Sequence, residues 1–402
     1  MKVAIIGGGA AGFFSAIQVK ENYPNAEVFL FEKSQNILSK LKISGGGRCN
    51  VTNACDISEL SKAYPRGNRF LKRTFYTFNN QDIMQWFESK GVPLVIQSDN
   101  CVFPKSQKSQ SIIDLFTNET SRLKINTLLG MKANSIIPKD DKLEIHFENK
   151  QPLTFDKVIV TTGGSPKKGG FKWLENLNHT VQNPVPSLFT FNMPNESISK
   201  LMGVVVENTL VSIQGSKIET QGALLITHWG MSGPAIIKLS SYAARLLNEK
   251  DYNFNVKVNW INDKNNTNIQ QKLLEIVQLH PHKMLSKIKP FALPERLWLF
   301  LLEKTNLSPQ KKWNELGKKG INKLVQLFTN DLYTVQGKTT FKEEFVTCGG
   351  IDLNNINGNT MQSKLVKNLY FAGEVLDIDG ITGGYNFQAA WTTGFIAGKL
   401  LD

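Results

Sequence analysis

The 402-residue chain has no apolar run approaching the roughly 18 residues that a membrane-spanning helix needs, which excludes that class of protein. Its most apolar stretch, Leu297 to Leu302, is too short to span and is expected to be a core helix. Cysteine is scarce, with four in the whole chain, and no CxxC pair occurs. A zinc site is therefore not expected, and neither is a disulfide framework. No internal repeat and no low-complexity linker is present. Glycines 7 to 9 interrupt the apolar N-terminal stretch, so it does not read as a secretory signal, and the chain is expected in the cytoplasm. Acidic residues are also in short supply: 34 against 47 Lys and Arg, a formal net charge of +13. That excess suits a polyanion such as nucleic acid; a solvated, lysine-rich surface is the plain alternative.

What is present is concentrated at the two ends of the chain. Val3 to Ile6 reads as a short buried strand, and Gly7-Gly8-Gly9-Ala10-Ala11-Gly12 follows it with the spacing of the dinucleotide fingerprint. Phe13 to Lys20 supplies the helix and Ala26 to Phe31 the second strand. Glu32, with Lys33 beside it, closes that strand twenty residues past Gly12, where a carboxylate can take the hydroxyls of an adenosine ribose. At the far end, Leu369 to Ala372 is an apolar strand running into Gly373-Glu374. After a turn rich in Gly and Asp, including Asp379, Gly383-Gly384 opens a helix at Tyr385-Asn386. The first-turn N–H groups of that helix and its positive dipole end would face whatever lies in front of it. The expected guest is a flavin held by both ends.

Between them, Lys40 to Asn53 contains Ser44-Gly45-Gly46-Gly47-Arg48-Cys49-Asn50, a loop whose backbone can pass close to a flat or phosphorylated ligand. Arg48 is placed to meet a pyrophosphate; Asn50 and Asn53 are placed to bond the flavin edge or the substrate. Asp156 to Val160 is another buried strand, and Thr161-Thr162-Gly163-Gly164-Ser165 is the turn at its carboxyl end, where open α/β sheets bind ligands. Tyr64 to Phe75 interleaves Arg66, Arg69, Lys72 and Arg73 with Tyr64, Phe70 and Phe75, which suits phosphates and bases; a helix with a charged outer face fits equally well. Gly222 to Ser240 reads as strand, then His228-Trp229-Gly230, then a helix from Pro234. The expected organisation is an FAD domain of 1–187 plus 340–402, a β-rich insertion of 188–262 and a helical subdomain of 263–339. The last carries a basic face at Lys311, Lys312, Lys318, Lys319 and Lys323, and 340–353 is expected to return to strands and glycine turns.

Four stretches together, 44–53, 227–236, 348–351 and 369–394, resemble the BaiN/RdsA-type FAD-dependent oxidoreductases, over almost the whole chain. The resemblance implies an α/β fold: a two-dinucleotide-binding-type FAD domain with a Rossmann-like parallel sheet, interrupted by a β-barrel-like and helical insertion. It implies FAD as cofactor, with NADH or NADPH as reductant; no second fingerprint for the nicotinamide is evident. It carries FAD contacts onto Gly7, Gly9, Gly12, Glu32, Arg48, Gly163, Gly373, Glu374, Gly384 and Asn386. The family has a small residue where this chain has Cys348, so that thiol is not read as an inherited catalytic group. One branch of the family reduces a uridine of large-subunit ribosomal RNA to dihydrouridine; others are bile-acid pathway reductases or amine-type oxidases. The most specific expectation is the RNA reaction: hydride from flavin N5 to uracil C6 and a proton to C5, with Cys49 as first candidate for the acid and His228 as second. A small-molecule flavin reductase or oxidase, and a non-catalytic flavin-holding RNA-binding factor, are the alternatives.

Overall fold

The structure, a computed structural model, describes residues 1–339 and 346–402. It divides into two compact units: Met1–Ser187 with Phe341–Asp402, and Leu188–Thr340. The segment 340–345, part of the stretch expected to return to strands, lies outside the described residues; Val346–Ile351 is a strand.

The first unit is built on a five-stranded parallel sheet in the order Leu369–Phe371, Lys157–Val160, β1 (Lys2–Ile6), β2 (Glu27–Glu32), Asn126–Leu129. The inner strands are apolar on both faces, with Val3 to Ile6 and Val158 to Val160 all buried, as a parallel sheet covered on both sides requires. Helix α1 (Ala10–Asn22) follows β1 and buries Ala11 through Val19 without a break. It is covered by the chain's last helix, Tyr385–Ala397, nine of whose residues are buried. Around them Phe14, Trp86, Phe116 and Trp391 pack edge-on or stacked, with ring centroids 4.9 to 5.8 Å apart. Two chain ends separated by almost the whole sequence thus form adjacent layers of one core.

The second unit centres on a seven-stranded sheet. Its described strands are paired antiparallel. The sheet closes on itself through one bent strand. Asp331–Gln336 pairs with Asn253–Asn259, and after the bend at Gly337, Lys338–Thr339 pairs with Thr190–Asn192. Gly337 has φ +92°, a left-handed conformation that glycine adopts without a Cβ penalty. Helices Asn266–Leu279, Glu295–Lys304 and Gly317–Asn330 bury Leu273, Trp298 and Phe328 in the same core as Val256 and Val258 of the sheet and Trp260 just after it. Strands and helices of 188–339 therefore share a single apolar interior. Leu297 to Leu302 is a core helix segment, as its length implied, with Leu297, Trp298, Leu301 and Leu302 buried.

Candidate functional site

Three strand ends of the parallel sheet meet at the start of α1. The amide of Gly7 donates to the carbonyl of Phe31 at 2.8 Å, and the Thr161 hydroxyl donates to the carbonyls of Ile6 and Gly7 at 3.1 and 2.9 Å. A Cβ on Gly12 would run into the Gly7 carbonyl, so α1 can begin this close to β1 only with glycine there. Gly9 caps α1 in extended conformation with no side-chain cap, so among the described residues the first-turn N–H groups have no partner. Ala10 and Ala11 form that turn, and a Cβ on Gly373 would stand 2.8 Å from the Cβ of Ala11. Glu32 aims its carboxylate back at the turn: Oε2 accepts from the Gly8 amide at 2.8 Å and Oε1 from the Ser34 amide at 2.9 Å. A carboxylate has lone pairs left after two such bonds. Beside it opens a cleft of about 460 Å³, lined by Gly7, Glu32, Lys33, Thr162, Gly163 and Gly164 among others.

A second cluster gathers around the start of the last helix. Gly384 caps it with φ +90°, and a Cβ there would stand 2.5 Å from the Thr52 carbonyl. The helix is fastened to the segment after the triple glycine by three bonds. The Trp391 indole donates to Val51 O at 2.8 Å, the Thr52 hydroxyl to Gln388 Oε1 at 2.6 Å, and the Asn53 amide to Gly383 O at 3.3 Å. Gly45, Gly46 and Gly47 all have positive φ, which breaks the helix Ser39–Gly47 and lets the loop fold over. Lys40 pairs with Glu374 at 2.6 Å, whose other oxygen accepts from the Thr347 amide at 2.8 Å. Among the described residues the Thr347 hydroxyl, buried beside Gly164, has no hydrogen-bond partner. Thr347 and Gln388 were not singled out by any motif, and Thr161 and Tyr64 were legible only as members of a turn and of a basic, aromatic stretch; the pairing of distant segments brings all four here.

These residues fit a bound dinucleotide. Nothing lies within 4 Å of where a Cβ would stand on Gly9, Gly46 or Gly163, so the backbone is open at all three turns. The Thr347 hydroxyl supplies a polar atom in the same unit that is unanswered among the described residues.

Several expected contacts are corrected. Cys49 has a positive φ of 62°, lies fully buried in the core, and has its thiol pKa pushed up to about 12 by burial, against a weaker opposing bond with Ser44. It is neither reachable nor acidic enough for proton delivery near neutrality. Asp379 is also fully buried. It is paired with Arg66 and accepts from the Ser187 hydroxyl at 2.9 Å, so it is a structural group rather than a ligand contact. Burial raises its pKa even with Arg66 against it, and Arg66 in turn, despite its own burial, is held charged by that carboxylate. Arg66 is thereby removed from the surface cations expected to meet RNA, whereas Arg69, Lys72 and Arg73 are exposed. Of the aromatics between them, Tyr64 and Phe75 are buried and Phe70 half-buried, so none is an open stacking surface. Arg48 is folded onto its own loop: its guanidinium lies 4.2 Å from the Phe103 ring centroid and donates to Gly45 O and Gln107 Oε1 at 3.1 and 3.3 Å. Asn50 accepts from the Val102 amide at 3.3 Å. Asn386 exchanges bonds of 2.8 and 2.9 Å with the backbone of Gly380, bracing the loop before the helix. The Tyr385 carbonyl accepts from the Tyr64 hydroxyl at 2.6 Å. Ser44 is likewise turned inward, donating to Leu41 O at 2.9 Å. His228 belongs to the second unit. It stands exposed at a hairpin tip, edge-on to Trp229, because a short strand, Gly230–Ser232, intervenes before the helix from Pro234.

A parallel sheet with glycine turns at three strand ends, an acid closing the second strand and a glycine-capped helix returning from the far end defines a class, the FAD-dependent oxidoreductases. The chain belongs to the family described as HI0933-like protein Rossmann domain, which matches residues 1–400. It is 26% identical to a 3-dehydro-bile acid delta(4,6)-reductase of Clostridium scindens, over 99% of this chain and 98% of that one. It is 28% identical to a ribosomal RNA dihydrouridine synthase of Haemophilus influenzae, over 97% of this chain and 96% of the other. Among solved structures it is similar in fold to a 3-ketosteroid delta1-dehydrogenase of Sterolibacterium denitrificans, with a TM-score of 0.52 at 10% identity, covering 98% of each chain.

Proposed function

We propose that this chain binds FAD and, in the cytoplasm with NADH or NADPH as reductant, reduces the C5=C6 bond of a uridine in ribosomal RNA. Two relatives support the bond type. A bile-acid delta(4,6)-reductase and a dihydrouridine synthase, as named, both act on a carbon–carbon double bond, and uracil's is conjugated to a carbonyl. The flavin, when bound, supplies hydride to the electron-poor carbon. The chain's own residues have the remaining tasks. Glu32 holds the ribose hydroxyls of the adenosine half, and the turns at Gly7–Gly12 and Thr162–Gly164 admit the phosphates. The first turn of the last helix, at Tyr385, favours negative charge gathered in front of it. Lys40 and Glu374 stay paired at the rim. With Cys49 buried out of reach, His228 is the remaining candidate from the sequence for proton delivery to C5.

The observation that carries RNA over a small substrate is a group of lysines assembled by the fold of the second unit. An isolated bridge joins Met284 to Lys312, the Leu285 amide donates to Lys311 O at 2.9 Å, and the Trp313 amide donates to Lys283 O at 3.1 Å. Lys283, Lys287, Lys289, Lys311 and Lys312 are thereby gathered beside one another, all exposed but the half-buried Lys311. Among the described residues none of them is in an ion pair. Cations free of ion pairs among the described residues and brought near one another by this backbone pairing suit a phosphate backbone. The test is a deletion of the gene followed by mass analysis of digested ribosomal RNA. Loss of a two-dalton gain on one uridine is expected, and unchanged RNA mass defeats the proposal. Salt-independent reduction of a steroid-like enone would favour the second reading, a small-molecule reductase, to which the bile-acid relative points.

A further inference from the structure

The exposed side of one short helix in the first unit combines charge with an open ring. Helix Asn68–Thr74 buries Leu71 and Thr74, and the turn that prolongs it buries Phe75 and Phe78. The prolongation is itself helical in spacing, with the Phe75 amide donating to Leu71 O at 2.9 Å and the Tyr76 amide to Arg73 O at 3.3 Å. The opposite side therefore carries positions 69, 72, 73 and 76, the i, i+3, i+4, i+7 stripe of one helix face. These are Arg69, Lys72, Arg73 and Tyr76. Tyr76 is 77% exposed, in contrast to the buried Tyr64 and Phe75. Among the described residues none of the three cations is in an ion pair. The nearby acids are engaged elsewhere: Glu59 with Lys62 at 2.6 Å, and Asp82 with the Asn79 amide at 2.7 Å.

This stripe is tied to the proposed flavin-holding elements at two points. Arg66, just before the helix, pairs with the buried Asp379, and the Tyr64 hydroxyl donates to the carbonyl of Tyr385, the first residue of the last helix. The segment that leads into the stripe is thus anchored to the loop and the first residue of the last helix.

We propose that Arg69, Lys72, Arg73 and Tyr76 form a docking surface for unpaired RNA, in which the Tyr76 ring stacks on a base and the three cations meet phosphates. The proposal rests on RNA being the substrate and names where its unpaired strand lies. Single-stranded RNA is the occupant this chemistry selects, because a base offers a face to the ring and the backbone offers charge to the cations. An acidic protein would use the cations and have little use for the ring.

The experiment uses the full-length, flavin-loaded chain and a labelled oligouridylate, followed by fluorescence anisotropy across a salt series. Tyr76→Ala is expected to weaken binding roughly 5- to 150-fold, the range for one lost base stack, with the salt slope unchanged. Tyr76→Phe should bind as the wild type does. Arg69→Gln, Lys72→Gln and Arg73→Gln combined should reduce the log–log salt slope by about 2. Unaltered flavin absorbance shows that each variant is folded. Equal binding by Tyr76→Ala overturns the proposal, and so does equal affinity for polyglutamate with the same variants. If wild-type protein forms dihydrouridine and Tyr76→Ala forms it at the same rate, this docking surface fails while the RNA reaction stands. If no RNA is bound or modified, both fail.

Discussion

A thiol held near pKa 12 by burial stays protonated across the range in which enzymes work. The native state therefore keeps a proton on Cys49 that the unfolded chain releases near its ordinary value of 9.0. The stabilisation is fully present below that value and is lost as pH rises toward 12. Cys101, raised to about 11 chiefly by burial, acts in the same direction. The expected outcome is a fall in unfolding free energy from about pH 9 to 12 that is smaller in Cys49→Ala, read from denaturant titrations at each pH. At pH 8, a thiol reagent should leave Cys49 unmodified until the chain is unfolded. Product formation by Cys49→Ala should match the wild type at equal flavin content; a large drop would restore the thiol to the chemistry. Asp379 yields a different expectation. Its removal leaves Arg66 buried without a partner, so Asp379→Ala should cost about 3–5 kcal/mol of stability. Replacing both partners together, as Arg66→Met with Asp379→Leu, should cost much less, and equal losses in the two variants would show that the ion pair is not the cause. Neither residue's burial could be read from its neighbours in sequence. Both sit among glycines and polar residues that look like a ligand loop, and what buries them arrives from segments far along the chain.

At the level of elements, the last helix is where close approach matters most. Gly384 has φ +90° and faces the Thr52 carbonyl, so Gly384→Ala introduces both a clash and a strained backbone. The helix start should shift away from the glycine loop, and purified protein should show a lower ratio of flavin absorbance to protein absorbance. Full flavin content in that variant would separate the helix start from cofactor retention. The strand–turn–helix at the N-terminus was legible because its signals are local: an apolar strand, glycines at fixed offsets and an acid closing the next strand. The same holds for the strand Lys157–Val160 and its turn. The region around His228 was legible only in part. A three-residue strand, Gly230–Ser232, is too short to leave a period, and it is specified by pairing with Glu219–Thr227 rather than by its own residues. The closing of the seven-stranded sheet through Gly337 left no pattern either, since a bend within one strand looks like an ordinary glycine turn.

For the whole molecule the relevant quantity is charge and where folding gathers it. If phosphate contacts supply affinity, turnover on ribosomal RNA should fall steeply as salt rises, while reduction of the flavin by NADH or NADPH should change little. Reversing Lys283, Lys287 and Lys289 to Glu should raise KM for RNA with flavin content unchanged, as measured by steady-state assays at two salt concentrations. An unchanged KM would relegate these lysines to solvated surface. The net charge of +13 was readable from composition, but its meaning was not. Lysines at 283–289 and 311–312 become neighbours only through the bridge at Met284 and Lys312.

Local chemistry was sufficient to specify the N-terminal strand–glycine turn–helix, four of the five parallel-sheet strands, the core helix at Leu297 and the class of cofactor, because each depends on residues a few positions apart. Tertiary structure alone decided which polar residues remain available. It buried Cys49 and Asp379, withdrew Arg66 into an ion pair, exposed Tyr76 and, among the described residues, left the Thr347 hydroxyl unanswered. Burial is set by the segments that cover a residue, and those lie too far along the chain for periodicity to report them.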